Sequence, residues 1–278
     1  MNEVRSAECG VRNQGTVPGM CPPGSDSAAL SNPQSSGRDQ GGSGHRNPKS
    51  DAAAFFDVDG TLVGCHIVHH YLYIRRRMLP PLMRPLWTGA FYLKAPYYLV
   101  LDKISRTRLN VVFYRNYAGL RGSEVRGYVQ DNFEHVIRPH LFTEGYDCVG
   151  EHRRAGHRVV LVTGSIDFIM EPLARFLGAD EVLAPKLVER DGRFTGELDG
   201  PPVGSEEKAR RIRAYAVSHG IDLASSFAYG DSIADLPMLE QVGNPHAINA
   251  DKPLEVAAQS RGWPTLRWSK TMSNGAIT

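Results

Sequence analysis

Apolar positions along this chain change rhythm twice. From Ala52 to Phe56 they run almost unbroken and then stop at Asp57-Val58-Asp59-Gly60-Thr61-Leu62, the pattern of a short buried strand ending in a polar turn. Residues 65 to 140 lack alternation with a period of two. They carry helix-length apolar patterns over Ile67 to Met78, Leu86 to Leu101, Arg108 to Leu120 and Ser123 to Ile137. From Thr143 the two rhythms alternate. A helix over Thr143 to Arg154 precedes a strand over Arg158 to Val162, and a helix over Ile166 to Leu177, closed by Gly178, precedes a strand over Glu181 to Ala184. Lys186 to Arg190 and Arg193 to Glu197 flank Asp191-Gly192, a hairpin signal. A helix over Ser205 to His219, a strand over Ser226 to Tyr229, a helix over Ile233 to Val242, a strand over His246 to Asn249 and a helix over Pro253 to Arg261 complete the series. This succession predicts an α/β fold built on a doubly wound parallel sheet, with a helical segment inserted after the first strand.

Met1 to Asp51 follows neither rhythm. It holds no Phe, Trp, Tyr or Ile and a single Leu, too little apolar surface to offset the entropy of ordering, and is expected to be a disordered tail. It also lacks the apolar run of a signal peptide. Cys9 and Cys21 fall in this tail, while Cys65 and Cys148 lie further on without CxxC spacing, so no framework of metal ligands or bridges is read from them. A reducing, cytoplasmic setting is the expectation. With a formal charge of +2 and 41% hydrophobic residues, the composition is that of an ordinary globular protein and points to no nucleic-acid partner.

Charge is unevenly spread. Between Cys65 and Arg108 stand eight Lys or Arg and one acid, Asp102, a local excess of seven that leaves the rest of the chain at minus five. Such a surface would attract a phosphorylated substrate, and a solvated helix face is the competing reading. The run from Leu86 through Trp87, Phe91, Tyr92, Tyr97 and Tyr98 to Leu101 is interrupted by Lys94 and Pro96 and is shorter than the roughly 20 residues a membrane span needs. Packing within the insertion, an apolar wall for a substrate and an interfacial membrane contact all fit it.

Polar groups gather where strands end. Asp57 and Asp59 lie two apart, on one side of an extended segment, where like charges call for a bound proton or cation. A plain Asp-Gly turn is the alternative. Val162 runs into Thr163-Gly164-Ser165, and Tyr229 into Gly230-Asp231-Ser232-Ile233-Ala234-Asp235, with Lys208 between them on a predicted helix. Ligands of open α/β sheets bind outside such carboxyl ends. Against this, Lys208 could be a solvated helix charge, and Asp231, Asp235 or Ser232 could simply cap a helix.

In this order, Asp57-Val58-Asp59-Gly60-Thr61, Thr163-Gly164, Lys208 and Gly230-Asp231 through Asp235 resemble the four motifs of the haloacid dehalogenase superfamily, over about residues 53 to 268. The helical insertion, Thr163-Gly164-Ser165, Gly200-Pro201-Pro202, the run from Gly230 to Pro237 and Gly262-Trp263-Pro264 are similar to its phosphoserine-phosphatase-like branch, subfamily IB. The resemblance implies a Rossmann-like core over 52–64 and 141–268, a small helical cap over 65–140 that selects the substrate, and tails over 1–51 and 269–278. It implies a Mg²⁺-dependent phosphatase acting on a small phosphate monoester, with Asp57 as nucleophile of an aspartyl-phosphate and Asp59 as general acid and base. Asp57, the Asp59 main-chain carbonyl and Asp231 are the implied metal ligands and Asp235 their support. Thr163, Gly164 and Lys208 are the implied phosphate contacts. One departure concerns the substrate: His66 stands where phosphoserine phosphatases place a Glu that meets an ammonium group. Phosphoserine, a lipid phosphate met at a membrane surface and transfer to an acceptor alcohol are the alternatives. A non-catalytic binding module ranks last, and the oligomeric state is not set by the sequence.

Overall fold

The structure, a computed structural model, describes residues 51–65 and 67–272. The tail before Asp51 and the substrate-related His66 therefore lie outside the described residues. The strands are β1 (Ala53–Phe56), β2 (Arg158–Val162), β3 (Glu181–Leu183), β4 (Leu187–Arg190), β5 (Arg193–Leu198), β6 (Phe227–Gly230), β7 (Asn244–Ile248) and β8 (Thr265–Leu266). Six of them form a parallel sheet in the order β3-β2-β1-β6-β7-β8. The chain winds outward from β1 in one direction and then, from β6, in the other. This places a topological switch point between β1 and β6, where doubly wound sheets open a crevice for ligands.

Strand alternation builds two cores. Ala54 and Phe56 of β1, Val159 and Leu161 of β2, and Phe227 and Tyr229 of β6 face one side, while Ala53, Phe55, Val160, Val162 and Ala228 face the other. Both faces are buried, which is why these strands read as continuous apolar runs. On the second face lies α9 (Ser205–His219), through Ile212, Tyr215 and Ala216. The first face carries α7 (Thr143–Arg154) and α8 (Asp167–Leu177), the latter stopped by left-handed Gly178. A short α10 (Leu236–Leu239) and α11 (Lys252–Arg261) complete this part. The helix expected over Ile233 to Val242 is a 3-10 turn, Ile233–Asp235, followed by α10, because a capping box on Ser232 and Asp235 and then Pro237 restart the turn.

The insertion holds α1 (Ile67–Met78), α2 (Arg84–Tyr92), α3 (Ala95–Ile104), α4 (Arg106–Tyr114), α5 (Gly122–Asp131) and a short α6 (Phe133–Val136). The single helix expected over Leu86 to Leu101 is two, because Pro96 has no N–H for the Tyr92 carbonyl and starts a new helix instead. Ser105 ends α3 in an extended conformation and accepts from the Arg108 N–H, so α4 starts two residues before the expected Arg108. The pattern over Ser123 to Ile137 is likewise divided at Asn132. Trp87 and Phe91 point inward, stacked on each other and against Tyr71, and Phe91 also meets Phe113. Aliphatic side chains face outward: Leu82, Leu86 and Leu93 are 92%, 78% and 84% exposed. Among the described residues no helix is long and apolar enough to cross a membrane.

Insertion and sheet share one apolar cluster, which runs from Tyr71, Phe113 and Tyr117 into Phe168 and Phe194. The β4/β5 hairpin turns on left-handed Asp191 and Gly192, as its sequence predicts. It supports the insertion through bonds between Phe194 and both Gly119 and Leu120. The two passages between sheet and insertion also meet: Val63 bridges Leu141, and the Gly64 N–H donates to the His140 carbonyl. Residues 269–272, expected to belong to a tail, join this seam. Thr271 bridges Phe142, the Met272 N–H donates to Leu141, and Trp268 is buried against α7 at Gly145.

A buried histidine group lies under the sheet. His152 Nε2 is 2.7 Å from the Tyr229 hydroxyl and its Nδ1 is 2.8 Å from His157 Nδ1, while His246 stacks on Tyr229. Burial, then the neighbouring imidazoles, lower the His152 pKa from 6.5 to about 3. The unfolded chain therefore takes up a proton below about pH 6.5 that the folded chain refuses, and stability drains away as pH falls toward 3. Relative to His152→Gln, which keeps hydrogen bonding but does not titrate, the wild-type advantage should shrink by about 1.4 kcal/mol per pH unit below 6.5. Paired denaturant melts at pH 7 and pH 5 check this, and a constant gap would contradict it.

Candidate active site

Four elements deliver side chains to the switch point. Asp57 follows β1 directly, its N–H held by the Tyr229 carbonyl at 2.9 Å, and is buried. Its Oδ2 accepts from the Thr61 hydroxyl at 3.2 Å and its Oδ1 from Lys208 Nζ. Lys208, in the first turns of α9, also donates to Asp235 Oδ1 at 2.6 Å and is buried, so it is not a solvated helix charge. Burial disfavours its ammonium form, yet Asp235 and Asp57 overcome that and raise its pKa.

Asp235 is fully engaged. Its second oxygen accepts from the N–H groups of Asp231 and Ser232 at 3.2 and 3.1 Å and from the Ser232 hydroxyl at 3.1 Å. Asp235 and Ser232 thus cap reciprocally rather than one replacing the other. Asp231 follows β6 and is held differently. Among the described residues its buried Oδ1 has no hydrogen-bond partner. Burial, then Asp57 and Asp235, push its pKa up to about 9, and burial pushes that of Asp57 up to about 7 against the pull of Lys208.

One oxygen each from Asp57, Asp231 and Asp235 lie within 4.8 Å of one another. Three carboxylates around one lysine leave an excess of negative charge, and the buried, unpartnered Asp231 oxygen lacks a positive neighbour at bonding distance. An all-oxygen donor set of this kind fits a hard divalent cation.

Asp59 sits opposite. Its Oδ2 accepts from the Ser165 hydroxyl at 2.7 Å and the Thr163 hydroxyl at 3.1 Å, leaving its buried Oδ1 unpartnered among the described residues. Thr163 thus orients Asp59, and Ser165 does so more closely, although only Thr163 and Gly164 stand out as site candidates in the sequence. Gly164 turns its carbonyl to the Tyr114 hydroxyl and to Asn110 Nδ2 at 3.3 Å, tying α4 to the end of β2. Arg106, at the start of α4, places a guanidinium nitrogen 3.9 Å from Asp231 Oδ2. Nothing in its local sequence distinguishes it from the other basic residues of the insertion.

Gly60 has a structural duty that its turn-like context conceals. Its φ is +98°, and a Cβ there would lie 2.2 Å from Asp231 Oδ2. Gly60→Ala should strain the loop and displace the Asp231 carboxylate, lowering turnover by about 100-fold or more. Steady-state rates against a retained circular-dichroism spectrum check this.

A doubly wound sheet with acids and a lysine gathered at its switch point defines the class, a Rossmann-like α/β protein with a buried acidic site at the carboxyl ends of its strands. Within that class the chain belongs to the haloacid dehalogenase-like hydrolases, whose family model matches residues 54–240. It is 34% identical over 234 residues to a protein of Mycobacterium tuberculosis named "Probable phosphatase", covering 81% of this chain and 78% of that one. A phosphoserine phosphatase of the same organism is 32% identical over 232 residues, covering 78% and 72%. Among solved structures, a protein of unknown function from Bordetella pertussis superposes with a TM-score of 0.65 at 27% identity, over 77% of this chain and 97% of that one.

Proposed function

We propose that this chain is a Mg²⁺-dependent phosphatase that hydrolyses a phosphate monoester through an aspartyl-phosphate on Asp57. The observation that carries the reading is the convergence of Asp57, Asp59, Lys208 and Asp235 on one small polar cavity of about 40 Å³. The names of the mycobacterial relatives support it. A phosphate dianion repels carboxylates, so its charge must be neutralised, the attacking oxygen aligned and the departing alcohol protonated.

Asp57, fixed by Thr61 and Lys208, attacks phosphorus; the ester P–O bond breaks, and the alcohol leaves with a proton from Asp59. Ser165 and Thr163 aim Asp59 by holding one oxygen, so the other carries that proton. Asp59 then takes a proton from water, which attacks the aspartyl-phosphate, releases inorganic phosphate and restores Asp57. Lys208 balances charge on the nucleophile and the phosphate, the Gly164 N–H donates to a phosphate oxygen, and Asp235 positions Lys208. The Thr163 hydroxyl, with its one proton on Asp59, acts through that carboxylate rather than on the phosphate. Asp57, Asp231 and the Asp59 main-chain carbonyl would hold Mg²⁺. Bound there, the ion supplies positive charge to the phosphate oxygens.

His66 in place of a Glu speaks against phosphoserine itself as the substrate. Chelator-stripped protein should release no phosphate from p-nitrophenyl phosphate, and millimolar Mg²⁺ should restore release. Acid-quenched enzyme should carry phosphate that hydroxylamine removes, as expected of an acyl phosphate. Equal release with and without chelator, or a hydroxylamine-resistant phosphoprotein, would overturn the reading.

A further inference from the structure

The polar cavity beside Asp57, about 40 Å³, has room for roughly three waters at about 10–15 Å³ each, too little for the alcohol of the ester beside its phosphate. A second cavity of about 360 Å³ shares Asp59, Arg106 and Asn110 with it and extends between α1, α2, α3 and α4. This volume lies in the range of roughly 300 to 1,000 Å³ typical of small-molecule sites. Asp59, which in the reading above protonates the departing alcohol, stands where the two cavities meet, so the alcohol extends into the second one.

Its walls are apolar. Ile67, Leu72, Phe91, Tyr98 and Leu109 line it, and its charged groups, Asp59, Arg106 and Asp102, cluster toward the site, where Arg106 also lies 4.0 Å from Asp102. An amino acid or sugar placed there would leave hydrogen-bonding groups unpaired at a cost that an alkyl chain avoids. Tyr92 and Leu99 line the cavity yet are 58% and 64% exposed, so it opens on the apolar outer face of α2 and α3.

We infer that this cavity takes the apolar portion of the substrate, which is therefore an amphiphile: the phosphate monoester of a long-chain or otherwise apolar alcohol. The inference rests on the phosphatase reading and assigns its substrate class.

The test compares ethyl and octyl phosphate as free monomers, and oleyl phosphate in vesicles of phosphatidylcholine and phosphatidylglycerol, all with Mg²⁺. From ethyl to octyl phosphate, kcat/KM should rise by about 4-fold per methylene until the cavity is filled. Ala95→Trp, which fills the cavity, should collapse the octyl-to-ethyl ratio. Leu99→Glu, at a position already exposed, should do the same without threatening the core. Faster turnover of the vesicle-borne ester identifies a membrane as the source, and faster turnover of free octyl phosphate identifies a dissolved amphiphile; both support the inference. An octyl-to-ethyl ratio near one, or a high ratio unchanged in both variants, overturns it while p-nitrophenyl phosphate turnover leaves the phosphatase reading intact. If no ester is turned over, that reading falls, and titration calorimetry of octylphosphonate against methylphosphonate on metal-free protein decides the inference. Tighter octyl binding with a negative heat-capacity change supports it, and equal binding overturns it.

Discussion

Asp57→Asn is expected to lower kcat by on the order of 10⁴-fold or more, while the thermal midpoint stays within about 3 °C of wild type. The replacement has nearly the same shape: its one amide oxygen accepts from Lys208, and its NH2 faces the Thr61 hydroxyl, which turns from donor to acceptor, so the local contacts are kept with one of them reversed. It also removes a carboxylate from a buried site where acids outnumber the lysine, which offsets the weakened contact with Lys208. What disappears is the oxygen that would attack phosphorus. Phosphate release measured beside a calorimetric melt separates the two effects, and retained turnover would remove Asp57 from the nucleophile role.

Lys208→Met should fail in the opposite manner, losing activity and stability together. Lys208 joins Asp57 to Asp235, and without it both carboxylates stay buried with their charge uncompensated. Breaking a buried ion pair by removing one partner costs about 3–5 kcal/mol, a fall of about 10 °C in the midpoint for a chain of this size. Adding Asp235→Asn to Lys208→Met should recover part of that loss, because the orphaned acid is then neutral. Mg²⁺ should raise the midpoint of the single variant by mass action. A Lys208→Met protein as stable as wild type would show that the lysine does not compensate these acids.

Strand ends are the most legible feature of this chain because a buried parallel strand is a local apolar run and its polar terminus follows at once, as Phe56 and Asp57 do. Helix α9 is read to the residue because Gly204 and Gly220 bracket it. The break between α2 and α3 was signalled by Pro96, but the apolar periodicity across it hid the restart. Strand β8, two residues long, is too short to carry a period at all. Within the site, the residue types at 57, 59, 163, 208, 231 and 235 were readable, whereas the partnerships were not. That Ser165 holds Asp59 more closely than Thr163 does, that Gly60 makes room for Asp231 and that Arg106 approaches Asp231 all depend on contacts across long separations in sequence.

The paired crossings at Val63–Leu141 and Gly64–His140, fastened further by Thr271 and Met272, carry a mechanical consequence. Two independent linkers would let the six inserted helices tumble over the sheet in several directions. Stapled side by side, they confine any movement of the inserted helices to one hinge line, and α4 is fastened away from it by Tyr114 and Asn110 to the Gly164 carbonyl. Thr271 and Met272 brace that line from the sheet's side.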